Sequence, residues 1–63
     1  MYRLKYLSRK FGVNVYADYG LGWYFVFDGG GKFLFRLRVR SENYRKLGDR
    51  LFKIHNKGIF ENA

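Results

Sequence analysis

The sequence predicts a small α+β domain, in which an antiparallel sheet of three to four strands is followed by one C-terminal helix packed on a face. Residues 23–40 contain two strand-like runs rich in aromatic and β-branched residues. Three consecutive glycines separate these runs, as expected for a hairpin. An apolar stripe at helical spacing follows residue 41. The length of 63 residues predicts one domain, spanning 1–63.

Aromatic residues compensate for the small size of this domain. A short chain buries a small share of its surface, and this one has no cysteine with which to form a disulfide. Seven Phe, six Tyr and one Trp make up 22% of the residues. Because each ring buries a large area, these side chains either build the core or form a binding surface. The composition also allows a homodimer.

Two interpretations compete for the N-terminal third. An alternation with a period of two extends over residues 2–7 and again over residues 13–18, which predicts two strands joined by a turn at residues 10–12. In the alternative, residues 3–11 form a short helix with Leu4, Leu7 and Phe11 on one face. We expect the two strands and keep the helix as the alternative.

The central hairpin is the clearest strand feature. A loop made of the three glycines pairs Asp28 with Lys32 and sets the register of the strands on either side. This register predicts a core face with Trp23, Phe25, Phe27, Phe33, Phe35 and Leu37. It predicts a wet face with Tyr24, Val26, Leu34, Arg36, Arg38 and Arg40. A two-residue loop would instead place the Trp23 row with the arginines.

The C-terminal helix is predicted from about residue 42 to residue 56. Ser41 suits the N-cap and Glu42 suits the positive end of the helix dipole, while Lys57 and Gly58 suit the C-terminal end. The apolar stripe consists of Tyr44, Leu47, Leu51 and Ile54. We expect this stripe to cover the aromatic face of the sheet.

The net charge of +8 predicts a partner of opposite sign. So much like charge disfavours the compact state, and a polyanion relieves the repulsion. Nucleic acid, DNA or RNA, is the first expectation; an acidic protein surface and an anionic membrane surface are the others. No apolar run approaches the roughly 20 residues of a membrane span. The lack of cysteine and of an apolar N-terminal run leads us to expect a cytoplasmic protein.

A row of arginines is the strongest candidate binding feature. Arg36, Arg38 and Arg40 alternate along one strand, so they stand about 7 Å apart on one face, a spacing that suits successive phosphates. Tyr24 could offer a stacking surface beside them. With the helix cations, the candidate nucleic-acid-binding residues are Tyr24, Lys32, Arg36, Arg38, Arg40, Arg45, Lys46, Arg50 and Lys53. The competing interpretation is a solvated charged surface without a ligand.

Enzymatic chemistry is not expected. His55 has no evident base or nucleophile beside it in the sequence, and residues 28–32 lack the spacing of a phosphate-binding loop. No catalytic residue, metal site or cofactor is predicted. We expect a non-enzymatic nucleic-acid-binding protein that contacts the phosphate backbone with little sequence readout. The alternative is a virus- or plasmid-type inhibitor that docks on a host protein or nucleoprotein machine, for example an anti-defence protein.

The order of strand, glycine turn, strand and C-terminal helix, from Phe25 to Ser41 and onward, resembles the small SH3-like chromatin proteins of archaea. The resemblance is architectural and does not by itself imply a function. This chain has fewer lysines and many more aromatic residues, and its arginine row has no secure counterpart there.

Overall fold

The computed structural model describes the backbone of residues 1–62 and the side chains of residues 1–56. It confirms an α+β fold with a four-stranded antiparallel sheet in the order β1-β2-β3-β4. The elements are β1 (Tyr2–Arg3), α1 (Lys5–Phe11), β2 (Asn14–Asp18), β3 (Trp23–Phe27), β4 (Phe33–Arg38) and α2 (Ser41–Asn62). The helix predicted from about residue 42 to residue 56 is confirmed by α2, and Lys57 and Gly58, at its predicted end, lie outside the residues whose side chains the structure describes.

Both helices pack on the same face of the sheet. Leu7 of α1 and the α2 residues Leu47 and Leu51 are buried against strands β2, β3 and β4. The strand residues of this core are Val15, Ala17, Tyr24, Val26 and Phe35. We call this side of the sheet the core face. The prediction that α2 packs on one face is confirmed, although Tyr44 and Ile54 lie at the exposed margins of its stripe. The expectation that this face carries the Trp23 row is wrong, since that row lies on the opposite side of the sheet.

The prediction of a strand over residues 2–7 is wrong, since the chain leaves the sheet after Arg3 and enters α1. Ser8 makes this change possible. The Leu4 N–H donates to the Val15 carbonyl at 2.8 Å, as in a strand pair, but the Leu4 carbonyl accepts from the Ser8 N–H and hydroxyl. The same hydroxyl accepts from the Val15 N–H at 2.9 Å. A serine side chain thus completes the ladder where the helix begins.

The alternative prediction of a short N-terminal helix is confirmed by α1. Leu7 is buried, and Leu4 and Phe11 pack against the core, as the helical spacing of these three residues requires. Gly12 ends the helix with φ 65°, a left-handed conformation that favours glycine. The chain then returns along β2, which matches the second predicted N-terminal strand.

The hairpin turn forms as the sequence predicts. The Asp28 N–H donates to the Lys32 carbonyl at 2.8 Å, and the Asp28 carboxylate accepts from the N–H groups of Gly30 and Lys32. Phe27 consequently pairs with Phe33. The next pair, however, is Val26 with Phe35, so Leu34 is an extra residue in β4.

This β-bulge reverses the predicted faces of β3 relative to those of β4. Because side chains alternate at every residue, one extra residue moves the rest of β4 to the opposite face relative to β3. Tyr24 pairs with Leu37, and Phe25 pairs with Arg36. The predicted wet positions of Tyr24 and Val26 are therefore wrong. Both side chains are buried in the core, while the Trp23 row shares a face with the arginines.

Burial of Tyr24 predicts alkaline destabilisation. Burial, followed by the neighbouring Tyr19 and Tyr44, raises the Tyr24 pKa above its ordinary value of 10.0. The phenol therefore ionises more readily in the unfolded chain. Its contribution to stability is complete below the ordinary pKa and is lost as pH rises through the folded pKa. We expect Tyr24→Phe to lose less unfolding free energy than the unchanged protein above about pH 10.

Chemical denaturation of both proteins from about pH 8 to about pH 11 measures this difference, with the exposed Tyr6→Phe as control. The control is expected to follow the unchanged protein. Parallel pH profiles for all three proteins would contradict the role assigned to Tyr24.

Candidate nucleic-acid interface

The side of the sheet opposite the helices forms an open face. The strand registers place on it the residues that alternate with those of the core face. Its members are Arg3, Asn14, Tyr16, Asp18, Trp23, Phe25, Phe27, Phe33, Arg36 and Arg38. All ten side chains are exposed or partly exposed. The open face therefore combines aromatic rings with guanidinium groups.

Two arginines lie over one tryptophan at one end of the open face. The guanidinium carbons of Arg36 and Arg38 are 4.1 and 4.3 Å from the centroid of the Trp23 ring. The register explains this geometry, since Trp23 pairs directly with Arg38 and Arg36 is its diagonal neighbour. Each such cation–π contact contributes about 0.5–1 kcal/mol at an exposed site. We call these three residues the arginine–tryptophan cluster.

Three rings cross the sheet at the hairpin end of the open face. Phe27 contacts Tyr16 on one side and Phe33 on the other, each at a centroid distance of 5.8 Å and in edge-to-face geometry. The Phe33 side chain is 50% exposed. We call these three residues the aromatic row. A shallow depression of about 330 Å³ adjoins it, lined by Met1, Asn14, Tyr16, Phe27 and Gly31.

Arg3 adds a third guanidinium group to the open face. It lies on β1 opposite Tyr16, and its Nη2 atom donates to the Asn14 Oδ1 atom at 3.4 Å. The Asn14 amide in turn donates to the Asp28 carbonyl at 3.1 Å. These contacts connect the edge strand to the hairpin turn and hold Arg3 beside the aromatic row.

The two acidic residues of the strand region are engaged in turns. The Asp18 carboxylate accepts from the Leu21 N–H at 2.9 Å, at the turn between β2 and β3. The Asp28 carboxylate accepts from two N–H groups of the hairpin loop. These aspartates have a local structural role, since they satisfy backbone donors that a tight turn exposes. Their position explains why acids occur in this otherwise basic half of the chain.

Comparison with known proteins finds no matching family model, no similar curated protein and no similar solved structure. The architectural resemblance to archaeal chromatin proteins therefore has no support from these comparisons. Among the described residues, no helix is both long and apolar enough to cross a membrane. The described residues also contain no group of three or more His, Asp or Glu side chains that could hold a metal ion.

The structure divides the predicted site residues between two surfaces. Arg36 and Arg38 lie on the open face, as predicted, and both are exposed. The predicted place of Arg40 in the strand row is wrong, because β4 ends at Arg38; Arg40 and Lys32 are exposed beyond the two ends of the strand. The helix cations are also exposed, but α2 packs on the core face, so they lie on the opposite side of the sheet from the open face. These cations are Arg45, Lys46, Arg50 and Lys53. One ligand strand along the open face would therefore not reach the α2 surface.

Arg50 and Tyr24 have surroundings that the sequence does not reveal. The Arg50 guanidinium carbon lies 4.0 Å from the centroid of the Phe35 ring, so its side chain packs at the edge of the core. Tyr24 is 6% exposed and cannot stack on a base in this conformation. The prediction that its ring stands beside the arginines is wrong, because the bulge at Leu34 turns it inward.

Four aromatic residues of the open face, Trp23, Phe25, Phe27 and Phe33, were assigned to the core by the sequence, and Arg3 was not among the predicted site residues. The bulge at Leu34 places the rings on the open face. The sequence gives no signal for it, because Leu34 has no feature that distinguishes it from an ordinary strand residue. The competing two-residue-loop register already placed the Trp23 row with the arginines. That facing is observed, although the three-glycine loop forms and a bulge produces it.

Proposed function

We propose that this protein is a non-enzymatic nucleic-acid-binding module that holds the phosphate backbone on its open face. The arginine–tryptophan cluster carries the proposal, because it presents two guanidinium groups against a single ring. The net charge of +8 supplies long-range attraction for any polyanion. Neutralisation of phosphates by arginine releases condensed counterions, which is the main source of affinity in nonspecific nucleic-acid binding.

Contact with Trp23 prepares Arg36 and Arg38 for phosphate binding. A guanidinium group can stack on an aromatic ring and still direct N–H groups at an anion, since its donors lie in the plane of the group. Arginine forks bind phosphate oxygens through two parallel hydrogen bonds. A side chain already held against a ring loses less conformational entropy on binding than a free one. The cluster therefore binds phosphate at a lower entropic cost than two unrestrained arginine side chains would.

The cations of α2 serve attraction at longer range. They lie on the side of the sheet opposite the open face, so we assign them to long-range steering of the polyanion. The open face makes the direct contacts. Removal of one of these cations should weaken binding to all nucleic-acid sequences equally, because phosphate carries no sequence information.

Paired substitutions test this proposal. Replacing Arg36 and Arg38 together with alanine should remove about two phosphate contacts from a single-stranded oligonucleotide. At about 0.1 M salt this predicts roughly 25-fold weaker binding, and a plot of log K against log salt shallower by about 1.4. Fluorescence polarisation with one labelled oligonucleotide over a salt series measures both quantities.

The matched control replaces Arg9 and Arg45, two exposed arginines of the helices, with alanine. This variant has the same net charge as the first but an intact open face. We expect it to lose less than about threefold in affinity, since only long-range attraction changes. Equal losses in the two variants would contradict the assignment of the open face. Affinity that does not depend on salt would refute the phosphate-binding proposal.

A second candidate function is docking on a protein. Large apolar side chains are exposed near the N-terminus, where Met1, Tyr2, Tyr6 and Tyr44 help to line a cavity of about 410 Å³. Tyrosine and methionine are enriched in protein–protein interfaces. This candidate corresponds to an inhibitor of a host protein or nucleoprotein machine. Capture of partners from a lysate with and without nuclease separates the candidates, because only a protein partner is retained after nuclease treatment.

A further inference from the structure

We propose that the open face selects single-stranded nucleic acid over duplex, because bases stack on the aromatic row while phosphates contact the arginine–tryptophan cluster. The inference rests on the proposed nucleic-acid binding and adds the strandedness of the ligand and the residues that contact bases. The relevant rings are Tyr16, Phe27 and Phe33. Sequence-tolerant stacking of this kind is available to every base, since each base has a π-face.

The aromatic row is accessible to a base. Phe33 is 50% exposed, and Tyr16 and Phe27 are partly exposed on the same face of the sheet. The contacts of Phe27 with Tyr16 and with Phe33 are close to perpendicular, at interplanar angles of 77° and 69°. Neither contact is a face-to-face stack that a base would have to displace. The adjoining depression of about 330 Å³ lies near the lower end of the usual size range of ligand clefts.

The phosphate-binding and base-binding parts belong to one surface. Trp23 and Phe27 are the two ends of β3 and are about 13 Å apart at the usual rise of a strand. A short segment of an extended strand could therefore contact the arginine–tryptophan cluster with its backbone and the aromatic row with its bases. Arg3 lies beside the row and offers a further phosphate contact.

A duplex does not fit this arrangement. Its bases are paired and stacked, and its outer surface presents phosphates, so the rings of a sheet face meet no free base plane. Unpaired bases can be splayed onto aromatic side chains without disruption of a helix. A duplex therefore retains the electrostatic attraction but not the stacking contacts. Stacking on the rings favours the single strand, whereas the higher charge density of the duplex favours the duplex, so an abasic strand with the same phosphates is needed to isolate the contribution of the rings.

Three oligonucleotides of equal length test the inference with the unchanged protein: a single strand, the corresponding duplex, and an abasic strand with the same phosphates but no bases. We expect the single strand to bind about tenfold more tightly than the abasic strand and more tightly than the duplex. Trp23 is the only tryptophan, so its fluorescence reports events at the cluster directly. Single-strand binding is expected to change its emission.

Two phenylalanine substitutions locate the stacking contact. Phe33→Ser is expected to weaken binding of the single strand by about fivefold or more while binding of the abasic strand stays the same. Phe52→Ser is the matched control, because Phe52 is 57% exposed on α2, away from the open face. The control should bind all three ligands like the unchanged protein.

Equal, salt-sensitive affinity for the single strand and the abasic strand would overturn the stacking inference and leave the phosphate-binding proposal intact. Tighter binding of duplex than of single strand would also overturn it. A failure of all three ligands to bind at low salt would instead refute the proposed function itself. The abasic comparison needs no substitution, so a variant that does not fold cannot obscure the result.

Discussion

Replacing Leu47 with alanine is expected to remove about 2–5 kcal/mol of unfolding free energy. Leu47 has no exposed surface and lies in the core between α2 and the sheet. Truncation forfeits its transfer free energy and leaves a cavity that the short core has little means to fill. At about 0.05–0.15 kcal/mol per residue, a domain of this length has only a few kcal/mol of stability. We therefore expect the variant to be largely unfolded at 37 °C.

Urea denaturation followed by circular dichroism measures this effect. Leu21→Ala is the matched control, because it makes the same chemical change at a side chain that is 67% exposed in the turn between β2 and β3. A surface change of this kind is expected to shift stability by less than about 0.5 kcal/mol. If the two variants unfold at the same urea concentration, the core assigned to Leu47 is wrong.

Ser8→Ala is the second substitution with a large expected effect, of about 1–3 kcal/mol. The Ser8 hydroxyl accepts from the Val15 N–H and donates to the Leu4 carbonyl, and the side chain is almost fully buried. Alanine removes the acceptor and leaves the Val15 N–H without a partner in the core. An unpaired buried donor costs its full desolvation energy, whereas an exposed one recovers a bond to water.

Denaturation together with hydrogen exchange at the Val15 amide tests this second prediction. Exchange at that amide should be faster in Ser8→Ala than in the unchanged protein. Arg9→Ala serves as control, since Arg9 is the exposed neighbour of Ser8 in α1. Unaltered stability and unaltered Val15 exchange in Ser8→Ala would show that the hydroxyl does not complete the ladder.

The two-layer arrangement has a consequence for binding. Because both helices pack on the core face, no helix in the described part of the chain covers the aromatic and arginine side chains of the other face. A small chain usually needs its aromatic rings for the core. Here several of them remain accessible, while aliphatic residues and Tyr24 fill much of the interior. This distribution supports a binding surface as the reason for the high aromatic content.

The amino-acid sequence by itself determined the fold class, the charge and the local hairpin geometry. The glycine run and Asp28 specify the turn through contacts within five residues, and the helical stripe identifies Leu47 and Leu51 as core residues. These features depend on residues that are close in the sequence, so a sequence pattern is sufficient to predict them. The basic surface follows from composition alone.

Only the tertiary structure decided which face of the hairpin is open and where the N-terminal strand ends. Side chains alternate with a period of two, so the single extra residue at Leu34 places Tyr24 and Val26 with Phe35 on the core face and the Trp23 row with the arginines on the open face. The end of β1 depends on a hydroxyl of α1 that satisfies a donor of β2. Both outcomes are set by hydrogen bonds between separate elements, and these are not encoded in local periodicity.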